Sequence, residues 1–196
     1  EPISFGEVWD DSNAEAMRHA EREGLTYIHP FRDEPVILGQ GTVGLEVLED
    51  LPDVDIVLVA IGGGGFAAGV AAAIKAVKPR VRIIGIEPVG APTLHDSVKA
   101  GKLVTLDKIT SKVSTLSAKR SDQVNLDLIG RHVEKIVLVT DEEMREAARW
   151  LWKELGIAAE LSGAASVAAA LLGKVDLPKG ARVCAIVCGA GTDGIS

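Results

Sequence analysis

The densest chemical signal in the chain is Gly62-Gly63-Gly64-Gly65-Phe66, which follows the apolar run Ile56–Ile61 and opens an alanine-rich stretch. Four glycines leave the backbone bare, so several N–H groups can converge on one anion. A helix starting there adds a partial positive charge, and a phosphate is the natural ligand. A turn that only packs a helix on a sheet needs one or two glycines, not four. Two uses of that phosphate compete. Gly62-x-Gly64-x-x-Ala67 matches a dinucleotide fingerprint, with Glu87 standing 20 residues beyond Ala67 where a ribose-binding acid would lie. Alternatively, Cys188, which closes a second strand-like run before Gly189-Ala190-Gly191, puts a small polar group on the same sheet edge. Phosphate at one strand end and a thiol at another could hold the two ends of a phosphorylated ring. A free Cys is otherwise a small buried hydrophobe.

These residues need a scaffold, and the pattern supplies one by alternating strand and helix. Strands are expected at Ile3–Val8, Leu25–Ile28, Ile56–Ile61, Val81–Ile86, Ile136–Val139 and Val183–Cys188. Helices are expected from an Asp11 or Ser12 cap to Glu23, then over Thr42–Leu51, Phe66–Val77, Leu126–Val133, from the Thr140 capping box to Leu155, and over Ser166–Leu172. The stretch from Pro88 to Ser121 reads as loop with short helical pieces. Near-continuous apolar strands separated by helices imply an α/β fold, an open and mostly parallel sheet with helices on both faces.

Composition narrows the function classes. The 196 residues carry a net charge of −7 and only 4% aromatics, which argues against nucleic acid and anionic membrane as partners. Ile56–Ile74 lacks charge over 19 residues, near membrane-spanning length, but its central glycines read as strand, turn and buried helix instead. The opening Glu1-Pro2-Ile3 shows no signal-peptide pattern and no initiator Met. Cys184 and Cys188 would lie about 13 Å apart on one strand, too far to pair; free thiols point to a reducing compartment, the cytoplasm. His19, His29, His95 and His132 are scattered and form no zinc spacing.

Taken in order, His29-Pro30-Phe31, Gly39-Gln40-Gly41-Thr42 with Glu46, Gly62–Phe66, Gly85-Ile86-Glu87-Pro88 and Cys188-Gly189 resemble the serine/threonine dehydratases among the tryptophan-synthase-like (fold type II) pyridoxal-phosphate enzymes, over nearly the whole chain. The resemblance implies that Gly62, Gly63, Gly64, Gly65 and Phe66 hold the cofactor phosphate. It implies that Cys188 faces the pyridine nitrogen and that Glu160, in Glu160-Leu161-Ser162-Gly163-Ala164, belongs to the cofactor site. It further implies a cation site at Gly62, Glu87, Ala91 and Thr93. Divalent users of that site tend to carry Asp where this chain has Thr93, so a monovalent ion such as potassium is expected. The reaction implied is dehydration and deamination of a hydroxy amino acid such as L-threonine or L-serine to a 2-oxo acid and ammonia, with amino acid racemisation as the alternative within the family. Outside it, a Rossmann-like nucleotide-binding domain or a non-catalytic or split-enzyme half remain.

The chain departs from the pattern in one large respect. The lysine that bonds the cofactor is absent: Lys75, Lys78 and Lys153 all read as solvated, and no Ser-Phe-Lys-x-Arg-like motif occurs. The Ser-x-Gly-Asn substrate loop is absent too, and Thr115-Leu116-Ser117-Ala118-Lys119 stands where many relatives have Thr-Ile-Ala-Asp-Gly. The expectation is therefore the C-terminal part of such an enzyme. Residues 1–35 would be a remnant of the small domain and its crossover, and residues 36–196 the large cofactor domain. This chain by itself would have no catalytic lysine and no activity. It would meet an amino acid substrate only as part of a homo-oligomer or beside its missing N-terminal half.

Overall fold

The computed structural model describes residues 2–6 and 9–195. Four parallel strands, β1 (Ile56–Ala60), β2 (Arg82–Pro88), β3 (Lys135–Val139) and β4 (Val183–Ala185), form one sheet in the order β3-β2-β1-β4. Seven helices accompany them among the described residues: α1 (Trp9–Glu23), α2 (Glu34–Asp50), α3 (Gly65–Val77), α4 (Thr93–Ala100), α5 (Gln123–His132), α6 (Asp141–Leu155) and α7 (Leu161–Leu171). Side chains of β1 alternate between two cores. Ile56, Leu58 and Ala60 pack with Met144 and Leu151 of α6 and the alanines of α7. Val57, Val59 and Ile61 pack with Ile37, Leu48, Val70 and Ile129 on the other face. Period-2 alternation in a strand buried on both sides is what a doubly covered parallel sheet requires.

The chain runs outward from β1 through β2 to β3, then returns to place β4 on the far side of β1. The connections therefore diverge between β1 and β4, and a crevice opens at the carboxyl ends of those two strands.

Several local expectations change. No strand forms at 3–6 or at Leu25–Ile28, and Glu7 and Val8 lie outside the described residues. Ile3, Leu25 and Ile28 stay largely exposed; among the described residues no strand pairs with these segments, and Leu25 N donates instead to Ala20 O of α1. Helix α1 starts at Trp9, and Ser12 Oγ donates to Phe5 O at 2.6 Å instead of capping it. Helix α2 starts at Glu34, eight residues before Thr42, with Pro35 in its first turn, so Gly39-Gln40-Gly41-Thr42 lies inside a helix. Gly41 and Gly44 let α3 approach: a Cβ at Gly41 would lie 3.2 Å from Gly69 O, and one at Gly44 2.7 Å from Val70 O. Helix α4 is one of the short helical pieces expected between Pro88 and Ser121, whereas α7 begins at Leu161 and β4 ends at Ala185, three residues before Cys188. The Thr140 capping box and the left-handed Gly156 stop of α6 form as expected. No helix is long and apolar enough to cross a membrane among the described residues.

Candidate cofactor site

The crevice between β1 and β4 holds a cavity of about 450 Å³, a size suited to a small cofactor. Gly62, Gly63, Gly64, Gly65 and Phe66 line it, together with Glu160 and Cys188 from the other side, so the seven residues expected at a cofactor share one cavity. Trp9, Pro30, Phe31, Gln40, Ser162 and the segment 114–118 complete the wall. Among the described residues, no lysine lines it.

The glycine turn is built for close approach. Gly64 is the N-cap of α3 with φ +103°, a left-handed conformation that strains any L side chain. A Cβ at Gly62 would lie 2.8 Å from Thr115 O, one at Gly63 would land on the ring of Phe31, and one at Gly65 would sit 2.6 Å from Phe31 Cα. The turn is thus pinned between the crossover segment and the 114–118 strap. The first N–H groups of α3 have no partner within the helix, and they belong to the turn that lines the cavity.

Opposite, Glu160 is the N-cap of α7 and accepts a short hydrogen bond from Ser162 Oγ. Cys188 Sγ lies 4.0 Å from Ser162 O and can donate to it. Burial pushes the Cys188 thiol up, and the nearby Glu160 carboxylate pushes it further, so at neutral pH it is an S–H and not a thiolate. Cys184 and Cys188 are both free.

Glu87 and Thr93 do not line this cavity. Glu87 is fully buried, and its two oxygens accept from Leu94 N at 2.8 Å and His95 N at 2.7 Å, capping α4. Burial drives its carboxyl up to about 8 against those two hydrogen bonds. Committed in this way, Glu87 does not stand where a ribose-binding acid would. Thr93 Oγ1 donates to Ala118 O at 2.6 Å. The register Ala60↔Ile86 sets Gly62 and Glu87 on adjacent strand ends, and Ala91 is buried between Glu87 and Thr93 in the chain. No cluster of three or more His, Cys, Asp or Glu able to hold a metal occurs among the described residues.

Sequence reasoning missed Asn125 and Ser121, which hold the glycine turn from behind, and Ser162 beside Cys188. The one available signal was a polar Asn125 next to Leu126 and Ile129 on the buried face of α5.

Residues 1–189 match the family model of the pyridoxal-phosphate dependent enzymes. The chain is 36% identical to the L-threonine ammonia-lyase of Thermotoga maritima over 191 residues, covering 97% of this chain and 47% of that protein. It is 38% identical to the phenylserine dehydratase of Ralstonia pickettii, covering 90% of this chain and 54% of the relative. The fold superposes on the processed form of threonine deaminase isoform 2 from Solanum lycopersicum with a TM-score of 0.87 and 31% identity, covering 96% of this chain and 55% of that structure. It superposes on maize serine racemase with a TM-score of 0.88 and 33% identity, covering 96% of this chain and 58% of that one. The chain therefore spans about half the length of the curated relatives it matches. A glycine-walled cavity at the sheet's switch point and a family match over residues 1–189 agree: this chain belongs to the pyridoxal-phosphate dependent enzyme family.

Proposed function

We propose that the cavity holds pyridoxal phosphate and that this chain is the large-domain portion of a lyase that dehydrates and deaminates a hydroxy amino acid such as L-threonine or L-serine. The observation that carries the reading is the glycine turn. Its Cβ-free wall and the first N–H groups of a 13-residue helix, which have no partner within that helix, suit a phosphate that must come within hydrogen-bond distance of backbone. Phe66 extends that wall, and Glu160 with Ser162 borders the ring side. The neutral Cys188 thiol suits an unprotonated ring nitrogen, since a thiol cannot hold a pyridinium proton as a carboxylate does. The bound cofactor would supply an electron sink for the bond-breaking step. This chain's residues would bind and orient it, while the lysine that bonds it would come from outside residues 1–196. The division at 35/36 into small-domain remnant and cofactor domain follows the same reading, as do a cytoplasmic setting and assembly with a second copy or a missing N-terminal half. Racemisation of an amino acid is the neighbouring reading within the family.

The residues at the second site fit a monovalent cation better than a divalent one. Glu87 is the single carboxylate, Thr93 offers a neutral hydroxyl oxygen, and Ala91 and Gly62 can offer only carbonyls. Burial alone would leave Glu87 protonated at neutral pH; ionised beside a cation, it would bring one negative charge, which balances potassium and leaves a divalent ion undercompensated.

Equilibrium dialysis of the chain against pyridoxine 5′-phosphate, pyridoxine and NAD tests the cofactor reading. Retention of pyridoxine 5′-phosphate above both others is expected. Preferential retention of NAD would return the glycine turn to nucleotide binding.

A further inference from the structure

The carbonyl of Gly63 is held by two donors from one stretch of chain, Ser121 Oγ at 2.7 Å and Asn125 Nδ2 at 3.0 Å. The same amide donates to Phe31 O at 2.7 Å. Asn125 is fully buried, in the first turn of α5, and its Oδ1 has no hydrogen-bond partner among the described residues. An Asn kept in an apolar helix face with half of its amide unsatisfied is expensive for the fold, so its donor half must matter.

The geometry of the peptide unit says how. A trans peptide holds its C=O and N–H antiparallel. Neither Ser121 nor Asn125 lines the cavity, whereas Gly63 and Gly64 do. Drawing Gly63 O toward Ser121 and Asn125 therefore turns the Gly64 N–H toward the cavity side. With glycine on both sides of this bond, no Cβ resists rotation of the unit. Turned over, it would present a carbonyl dipole to an anion in place of an N–H.

We propose that Asn125 is a positioning residue for the anion site, assisted by Ser121: it fixes the Gly63–Gly64 peptide in its N–H-presenting orientation and ties the crossover at Phe31 to it. The proposal rests on the reading of the glycine turn as a phosphate cradle. Where that cradle exists, Asn125 decides the preference for phosphorylated over unphosphorylated ligand, and not the affinity for the ring.

The test measures dissociation constants of pyridoxine 5′-phosphate and pyridoxine, which lack the lysine-reactive aldehyde, for the wild-type chain, Asn125→Leu and Ser121→Ala. Asn125→Leu should weaken pyridoxine 5′-phosphate tenfold or more and leave pyridoxine within twofold. Ser121→Ala should reduce the phosphate preference two- to threefold. A purely structural role would weaken both ligands in proportion to the folded fraction. A folded Asn125→Leu protein with the wild-type preference overturns the proposal while leaving the cradle intact. A wild-type chain with no preference removes the cradle and the proposal together. Should Asn125→Leu not fold, the Gly64 amide resonance of the wild type decides. On titration with inorganic phosphate it should move downfield, and move less in Ser121→Ala. A stationary Gly64 amide in a chain that binds phosphate overturns the proposal.

Discussion

Replacing Gly65 by Ala separates two explanations of the glycine turn because they differ in sign. Gly65 opens α3, and its φ is not in the left-handed region. On helix propensity alone, Ala is the better residue by up to about 1 kcal/mol. The packing argues otherwise. A Cβ at Gly65 would stand 2.6 Å from Phe31 Cα and 2.7 Å from Phe31 O. Ordinary carbon contacts begin near 3.5 Å, so the crossover must retreat by about 0.9 Å. These are backbone atoms and cannot swing aside. The Phe31 carbonyl accepts from Asn125, and its ring packs tilted against Trp9 and edge-on to His29, at 4.7 and 4.5 Å between centroids. Overpacking of that kind costs about 1–3 kcal/mol. For a chain of this size Gly65→Ala should lower Tm by about 2–12 °C. Gly130→Ala is the control. It lies in α5, exposed, with nothing within 4 Å of the added carbon, and should raise Tm by about 2–4 °C. Circular dichroism melts of the two variants beside wild type make the measurement. A Gly65→Ala protein as stable as wild type would show that the crossover does not clamp the turn, and the site geometry argued above would be wrong.

Glu87 should make stability fall as pH rises. Between its ordinary value of 4.5 and about 8, the folded chain holds a proton that the unfolded chain has released, so its contribution is complete below that window and lost through it. The limiting slope is about 1.4 kcal/mol per pH unit; urea midpoints from pH 5 to 8 should show the decline in wild type and a flatter line in Glu87→Gln. If potassium sits beside Glu87, it favours the ionised form, and potassium chloride should flatten the wild-type line more than an equal concentration of tetramethylammonium chloride does. The purified chain supplied with pyridoxal phosphate should release no 2-oxo acid from L-serine or L-threonine, because no lysine lines the cavity among the described residues; steady release in a coupled dehydrogenase assay would contradict the site. Thr140→Ala removes the hydroxyl that accepts from Glu143 N and should cost about 1 kcal/mol, read as a lower urea midpoint with an unchanged m-value.

What could be read ahead of the structure was whatever depends on local pattern. The run from Ile56 and the glycines after it give β1, the turn and α3 because burial on both faces forces an unbroken apolar strand. The Thr140–Glu143 pair marks its helix start by chemistry confined to four residues. The residues grouped by resemblance around the cofactor meet in one cavity. The failures are tertiary. Leu25–Ile28 has strand composition but no partner strand among the described residues, so Leu25 and Ile28 stay largely exposed. Gly41 falls before the helix expected from Thr42 and Gly44 inside it, and neither shows its role until α3 is laid against them. Asn125 is 62 residues from the carbonyl it holds, and no spacing rule connects them. Gly64, where an introduced Asp would seem the simplest probe of an anion site, has φ +103° with Leu94 Cδ1 only 2.6 Å from the added carbon, so that change would disturb folding and binding at once.

In the proposed function, backbone N–H groups at the start of α3 hold a phosphorylated ring whose far end reaches Cys188. Amide chemical-shift mapping of the labelled chain during a pyridoxine 5′-phosphate titration tests it directly. The largest shifts should fall on Gly62–Phe66, with further shifts in 114–118 and at Cys188 and Gly189. Shifts confined to the apolar groove between α2 and α3, around Leu38, Leu45 and Val77, or no shifts at saturating ligand, would contradict it.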